Sequence, residues 1–248
     1  MQTAGQRRRS WEKGSSVKVF AISDLHLSFQ TDKPMDVFGP AWKDHPARIR
    51  DAWRETVGPD DLVLVPGDIS WGMRLTDAAD DLSFLGELPG TKIIIKGNHD
   101  YWWSSLGKVT KFVHPSIIPL QNSSIVFDGL GIAGARLWID PDLNLEKSTD
   151  EDRKIWEREL ERLANSLKTL PQGLTTRIIM SHFPPISLEG RPSRAVEIAR
   201  ESGCDIWVFG HMHLGTMDYS GFNRTTGGIR FEFVSADYLD FRPRQVIG

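Results

Sequence analysis

The stretch TKIIIKGNHDYWW, residues 91–103, runs three isoleucines into a lysine and a glycine, then Asn98, His99 and Asp100, then three aromatics. A short β-branched run of this kind reads as a strand buried on both faces. A buried strand that ends on three strongly polar side chains is either a solvated turn or part of an active site. The pattern recurs, and the recurrence separates the two readings. Residues 17–23 end in DLH, 61–66 in GD, 177–181 in HFPP and 205–209 in GHMH. Each run is short, apolar and rich in Val or Ile.

Segments with helical spacing lie between these runs. In 45–57, Ile49, Ala52, Trp53 and Val57 share one stripe. Residues 76–88, 104–113 and 191–202 behave similarly. The clearest helix spans 150–170, with Ile155, Leu160, Leu163 and Leu167 on one face and charged side chains opposite. Thr149 or Asp150 suits its N-cap. Residues 116–137 and 214–234 instead read as successive strands with Gly and Asn turns. Alternating β and α units plus two β-rich stretches predict an α/β fold of two packed sheets flanked by helices. The loops 28–44 and 139–150 are long for plain connections, and such loops beside strand ends tend to be functional.

The totals are those of an ordinary globular domain: 248 residues, 40% hydrophobic, 25% charged, net charge −3. This charge disfavours a general nucleic-acid binder, and no basic groove is visible for a nuclease. Residues 1–16 read as a polar, flexible extension, and 17–248 as one domain. The cluster Arg7–Arg8–Arg9 lacks the apolar region that an export signal needs. No apolar stretch reaches membrane-crossing length, so no membrane partner is expected. One cysteine, Cys204, allows no intrachain disulfide, and a reducing, cytoplasmic setting is the expectation.

The polar strand ends hold a coherent chemistry. Five of the seven histidines sit there: His26, His99, His182, His211 and His213. His45 and His114 lie elsewhere and read as structural. In Asp24-x-His26 and His211-x-His213, continued strand geometry would send both side chains of each pair to one side. Ligands in α/β folds gather where the carboxyl ends of strands converge. Asp24, His26, Asp68, Asn98, His182, His211 and His213 then qualify as metal ligands, too many for one four-coordinate ion. They suit two ions sharing a carboxylate. Nitrogen and oxygen donors without thiolate favour Mn, Fe or Zn. Two ions about 3.5–4 Å apart can clamp a phosphate and generate a bridging hydroxide for in-line attack.

The ordered series DLH, GD, GNHD, SHF and GHMH resembles the signature of the calcineurin-like metallophosphoesterase superfamily, over about three quarters of the chain. One such piece alone occurs by chance; five in order, each after a strand, are specific. The resemblance implies a four-layer αββα sandwich with a dinuclear centre. It assigns one metal to Asp24, His26, Asp68 and His213, and the other to Asp68, Asn98, His182 and His211, with Asp68 bridging. His99 matches the histidine that faces the leaving-group oxygen, and it is the one strand-end histidine not needed as a ligand. The expected substrate is a small phosphate mono- or diester.

One departure stands out. Family phosphatases often read GDxxDR, whereas this chain reads GDISWGMR, with Trp71 and Gly72 in place of the Asp and Arg. The usual partner of the histidine is therefore missing from its position. Asp100 is expected to play a supporting catalytic part beside His99. Arg74 or Arg136 is expected to replace the phosphate-binding Arg. Trp71, Tyr101, Trp102 and Trp103 read as packing residues, with stacking on a nucleobase or aromatic leaving group as the other reading. A rival of another class is a non-catalytic metal-binding interaction module on the same fold, but that reading usually comes with eroded ligands.

Overall fold

The computed structural model describes residues 17–143, 148–213 and 218–248. The extension expected over residues 1–16 lies outside the described residues. Among the described residues, eleven strands form two sheets. The first sheet runs β11 (Arg244–Ile247), β1 (Val19–Ala21), β2 (Leu62–Val65), β3 (Thr91–Ile94), β4 (Ile117–Pro119). The second runs β5 (Ser124–Phe127), β6 (Leu130–Gly134), β7 (Thr176–Ser181), β8 (Ile206–Phe209), β10 (Ile229–Phe233), β9 (Arg224–Thr226). β1 to β4 are mutually parallel, as are β6, β7, β8 and β10; β11, β5 and β9 are antiparallel edges.

The pleat explains the layers. Successive strand side chains point to opposite faces, so each apolar run supplies two cores. Leu62 and Leu64 of β2 face Ile178 and Met180 of β7 in a core between the sheets. Val63 and Val65 face outward, onto Ile49, Trp53, Leu82, Leu85 and Val109 from the helices α1 (His45–Thr56), α2 (Ala79–Glu87) and α3 (Leu106–Phe112). On the second sheet, Trp207 and Phe209 face α4 (Asp150–Lys168) and α5 (Arg194–Glu201) through Leu160, Leu163 and Val196. Helices, sheet, sheet, helices: this is the expected αββα sandwich. Strands buried on both faces must be apolar throughout, which is why their runs read as continuous.

Local signals set several boundaries. Thr149 caps α4 through a reciprocal pair: its Oγ1 accepts from the Asp152 N–H, while the Asp152 carboxylate accepts from the Thr149 N–H. The loop 28–44 contains two short 3-10 helices, Met35–Phe38 and Pro40–Trp42. Strand β11 is absent from the expected strands; it lies at a sheet edge and reads Arg-Gln-Val-Ile, two polar residues before two apolar ones. No helix among the described residues is long and apolar enough to cross a membrane.

Lys92 is a buried charge within the apolar run. Its Nζ donates to the carbonyls of Gly86, Leu88 and Gly90 at 3.2, 2.6 and 3.0 Å, satisfying the carboxyl end of α2 and the turn beyond. Burial pushes its pKa down to about 8. Lys92→Met removes this donor and is expected to cost about 1–3 kcal/mol, read in urea unfolding. The native lysine releases its proton near pH 8, but the unfolded one does so near 10.4. Between these values the unfolded chain binds more protons, so this group makes stability rise with pH. That increment is expected to vanish in Lys92→Met.

Candidate metal centre

The polar clusters meet where β1, β2, β3, β7 and β8 end. The strands stop before the ligand-type residues, and the chain then turns through left-handed backbone. Asp24, His26, Asp68 and His211 have φ of 57°, 45°, 52° and 76°. Non-glycine residues seldom adopt this region, and such strain concentrates at functional sites. The D-x-H and H-x-H pairs therefore converge by turn geometry, not by the strand alternation expected from sequence. Glycines let the turns touch. A Cβ on Gly97 would lie 2.0 Å from Asp68 Oδ1, and one on Gly210 would lie 2.1 Å from Asp24 Oδ2.

A single carboxylate fastens two of the turns together. Asp100, fully buried, accepts from the backbone N–H of Gly97 (2.8 Å) in its own turn. It also accepts from Asp68 (2.9 Å), Ile69 (2.9 Å) and Ser70 (3.2 Å) in the turn after β2. Trp102 Nε1 adds a fifth donor at 2.9 Å. Burial and the neighbouring Asp68 raise Asp100 to about 6, against the pull of its donors. No hydrogen bond joins it to the His99 ring; its support goes to the backbone beneath. Asp68 reciprocates by accepting the His99 N–H at 2.8 Å.

The donor atoms above these turns crowd one another. His182 Nδ1 faces the Pro66 carbonyl at 3.0 Å, so Nδ1 carries a proton and Nε2 points into the cluster. That Nε2 lies 2.6 Å from Asn98 Oδ1, 3.2 Å from His211 Nδ1 and 3.4 Å from Asp68 Oδ2. Asn98 Oδ1 is also 2.9 Å from His211 Nδ1. On the other flank, His26 Nε2 is 3.1 Å from His213 Nε2 and 3.8 Å from Asp68 Oδ2, and His213 Nε2 is 3.9 Å from Asp24 Oδ1. Lone pairs packed this tightly repel unless positive charge sits among them. The titration behaviour says the same. Burial disfavours charge on His182, yet the Asp68 and Asp24 carboxylates raise it to about 9. Burial likewise opposes ionisation of Asp68, but His182 and His26 hold it well below the usual carboxylate range. Burial takes His211 down to about 3, leaving it a neutral donor.

These residues fit metal ions. Asp24, His26 and His213 form one group whose donor atoms lie within 4.8 Å of one another, and Asp24, Asp68 and His182 form a second. Asp68 stands between the flanks, within 4 Å of a histidine on each.

Sequence reasoning missed three outer partners. Ser23 Oγ and Ser235 Oγ both donate to Asp24 Oδ2, the latter at 2.9 Å, and Asp237 Oδ1 lies 3.4 Å from His213 Nδ1. Ser235 and Asp237 follow β10 in the run FEFVSAD, but that strand alternates apolar residues with Arg230 and Glu232, so it gives no continuous apolar run to mark them. Arg136 accepts the N–H groups of His182 and Phe183 at its carbonyl, but its guanidinium lies over Trp138 and 3.6 Å from Glu159. Arg74 is exposed, and no side-chain contact ties it to the cluster among the described residues. His99 is half-buried; burial lowers its pKa, and its Nδ1 has no hydrogen-bond partner. His45, read as structural, is buried with Nδ1 3.1 Å from the Trp42 carbonyl.

Nitrogen and oxygen donors without thiolate, gathered at strand ends, are what a metal-dependent hydrolase requires. The chain belongs to the calcineurin-like phosphoesterase family, whose sequence model matches residues 17–215. It is 39% identical over 83 residues to the Gene 66 protein of Mycobacterium phage D29, across 33% of this chain and 40% of that protein. For the Gene 66 protein of Mycobacterium phage L5 the match is 35% over 78 residues, 32% of this chain and 37% of that one. The matched segment thus spans less than half the length of these curated relatives. Among solved structures, the phosphopantetheinyl hydrolase PptH of Mycobacterium tuberculosis aligns with a TM-score of 0.58 at 19% identity, over 92% of this chain and 95% of that one. The Aquifex aeolicus protein AQ665, of unknown function, aligns with a TM-score of 0.53 at 18% identity, over 93% and 96%. At such identities the likeness is one of fold.

Asp100→Asn sets an amide among five N–H donors. It is expected to lower stability by about 2–4 kcal/mol and to weaken metal binding by displacing the Asp68 and Asn98 turns. Urea denaturation and a Mn titration of the folded variant check the two effects separately.

Proposed function

We propose that this protein hydrolyses phosphate mono- or diesters at a centre of two metal ions. The observation that carries this reading is Asp68, whose Oδ2 lies 3.8 Å from His26 Nε2 on one flank of the donor cluster and 3.4 Å from His182 Nε2 on the other. Asp24, His26, Asp68 and His213 would hold one ion, and Asp68, Asn98, His182 and His211 the other. The donor set suits Mn, Fe or Zn. Bound there, the ions would clamp the phosphoryl oxygens and supply a hydroxide for in-line attack.

The chain's own groups set the rest. Asp237 beside His213 Nδ1 and the Pro66 carbonyl beside His182 Nδ1 fix those rings with Nε2 turned inward. Ser23 and Ser235 hold the Asp24 carboxylate. His99 is the strand-end histidine left over from the ligand set, with its ring 5.7 Å from that of His26. It would donate a hydrogen bond to the leaving-group oxygen. Of the two arginines named for phosphate binding, Arg136 is the better placed, since its backbone adjoins His182.

Asp68→Asn is expected to cut turnover of an aryl phosphate by at least about a thousandfold, assayed with Mn in excess. His99→Ala is expected to lose about a hundredfold to ten-thousandfold while its metal content stays that of the unaltered protein. Unchanged turnover in metal-replete Asp68→Asn would contradict the reading. A metal-loaded protein that hydrolyses neither a monoester nor a diester would instead mark a binding module.

A further inference from the structure

A cleft of about 210 Å³ opens beside the donor cluster. Its floor is made by His26, His99 and His213, and its walls by Met35, Phe38, Trp42 and Trp71. The walls carry no formal charge; the nearest cation recorded over them is Lys33 Nζ, 5.9 Å from the Trp71 ring centre.

The walls are rigid where they meet the floor. Trp71 stacks on His26 with ring centres 4.9 Å apart and planes inclined by 24°, and its ring centre is 4.4 Å from that of His99. Its Nε1 points at Met35 Sδ, 3.2 Å away, which ties the loop 28–44 to the site. Trp42 is buried and packs edge-on to His213 and Phe241. Phe38 is the opposite case. It is 68% exposed and has no ring partner among the described residues. Tyr101, 53% exposed, stands edge-on to His99 at 6.2 Å. Leaving a phenylalanine in water beside a site forgoes the gain of burial, unless something covers it.

We propose that this cleft binds the organic leaving group of the ester, and that this group carries a flat, uncharged aromatic ring. The assignment rests on the phosphoesterase reading above. A phosphoryl group on the floor places its leaving side toward His99, and His99 lines the cleft. Sites for drug-sized ligands run to about 300–1,000 Å³, so this cleft takes one ring system, not a peptide. Rings favour tilted or offset aromatic partners, and Trp71 and Phe38 offer them. A charged or phosphorylated leaving group would lose water here and gain no ion pair from the walls.

Binding of benzylphosphonate and methylphosphonate to the Mn-loaded protein, measured by calorimetry, tests this without turnover. The unaltered protein is expected to hold benzylphosphonate roughly tenfold more tightly. Phe38→Ala is expected to remove about fivefold of that preference and to leave methylphosphonate within about twofold. Phe38→Trp is expected to keep the preference, which separates stacking from a loop disturbance. Equal affinity for the two phosphonates, or a Phe38→Ala effect that is absent or equal for both, overturns the assignment. Hydrolysis of benzyl and ethyl phosphate, two alkyl monoesters, and of their methyl diesters forms the second arm. Selective binding with none of the four esters hydrolysed would leave the cleft standing and bring down the phosphoesterase reading.

Discussion

The site depends on one buried carboxylate. Asp100 gathers four backbone N–H groups and an indole N–H, and these come from two separate strand ends. Without that acceptor, five buried donors would be left unsatisfied, each at a cost of about 1–3 kcal/mol. With it, the turn holding Asp68 and the turn holding Asn98 and His99 are fixed in register. Gly97 allows the contact, because any side chain there would collide with Asp68. The second sheet then needs only to bring His182 and His211 across, and the core between the sheets does so.

Much of this was legible in the sequence, for a physical reason. Parallel strands covered on both faces must be apolar throughout, so a polar cluster directly after one is conspicuous. That rule picked out Asp24, His26, Asp68, Asn98, His99, His182, His211 and His213, and all of them lie at the converging strand ends. The four-layer order came from the family resemblance, since periodicity alone gives only packed sheets with helices. Other features had weaker signals. β11 is an edge strand with exposed polar positions, so it lacks the apolar run. Ser235 and Asp237 follow β10, in which Arg230 and Glu232 alternate with apolar residues, and they sit beyond the stretch taken as strands. The left-handed turns at Asp24, His26, Asp68 and His211 could not be read, because aspartate and histidine do not announce positive φ as glycine does.

Trp71 shows how one position redirects a site. The family pattern often has a carboxylate there to orient the histidine, and here an indole stacks on His26 and touches His99. An apolar wall replaces a charged one. His99 is left with an unpartnered Nδ1 and a pKa lowered by burial. The same indole anchors the loop that carries Phe38. Trp71 thus stands in the place of the carboxylate and forms a wall of the cleft.

The central claim is a two-ion centre bridged by Asp68. Metal content per chain, measured by mass spectrometry after loading with Mn and exhaustive dialysis, tests it directly. The account predicts two ions in the unaltered protein and a fall below one in folded Asp68→Asn. A single ion in the unaltered protein, retained when Asp68 becomes Asn, would contradict it.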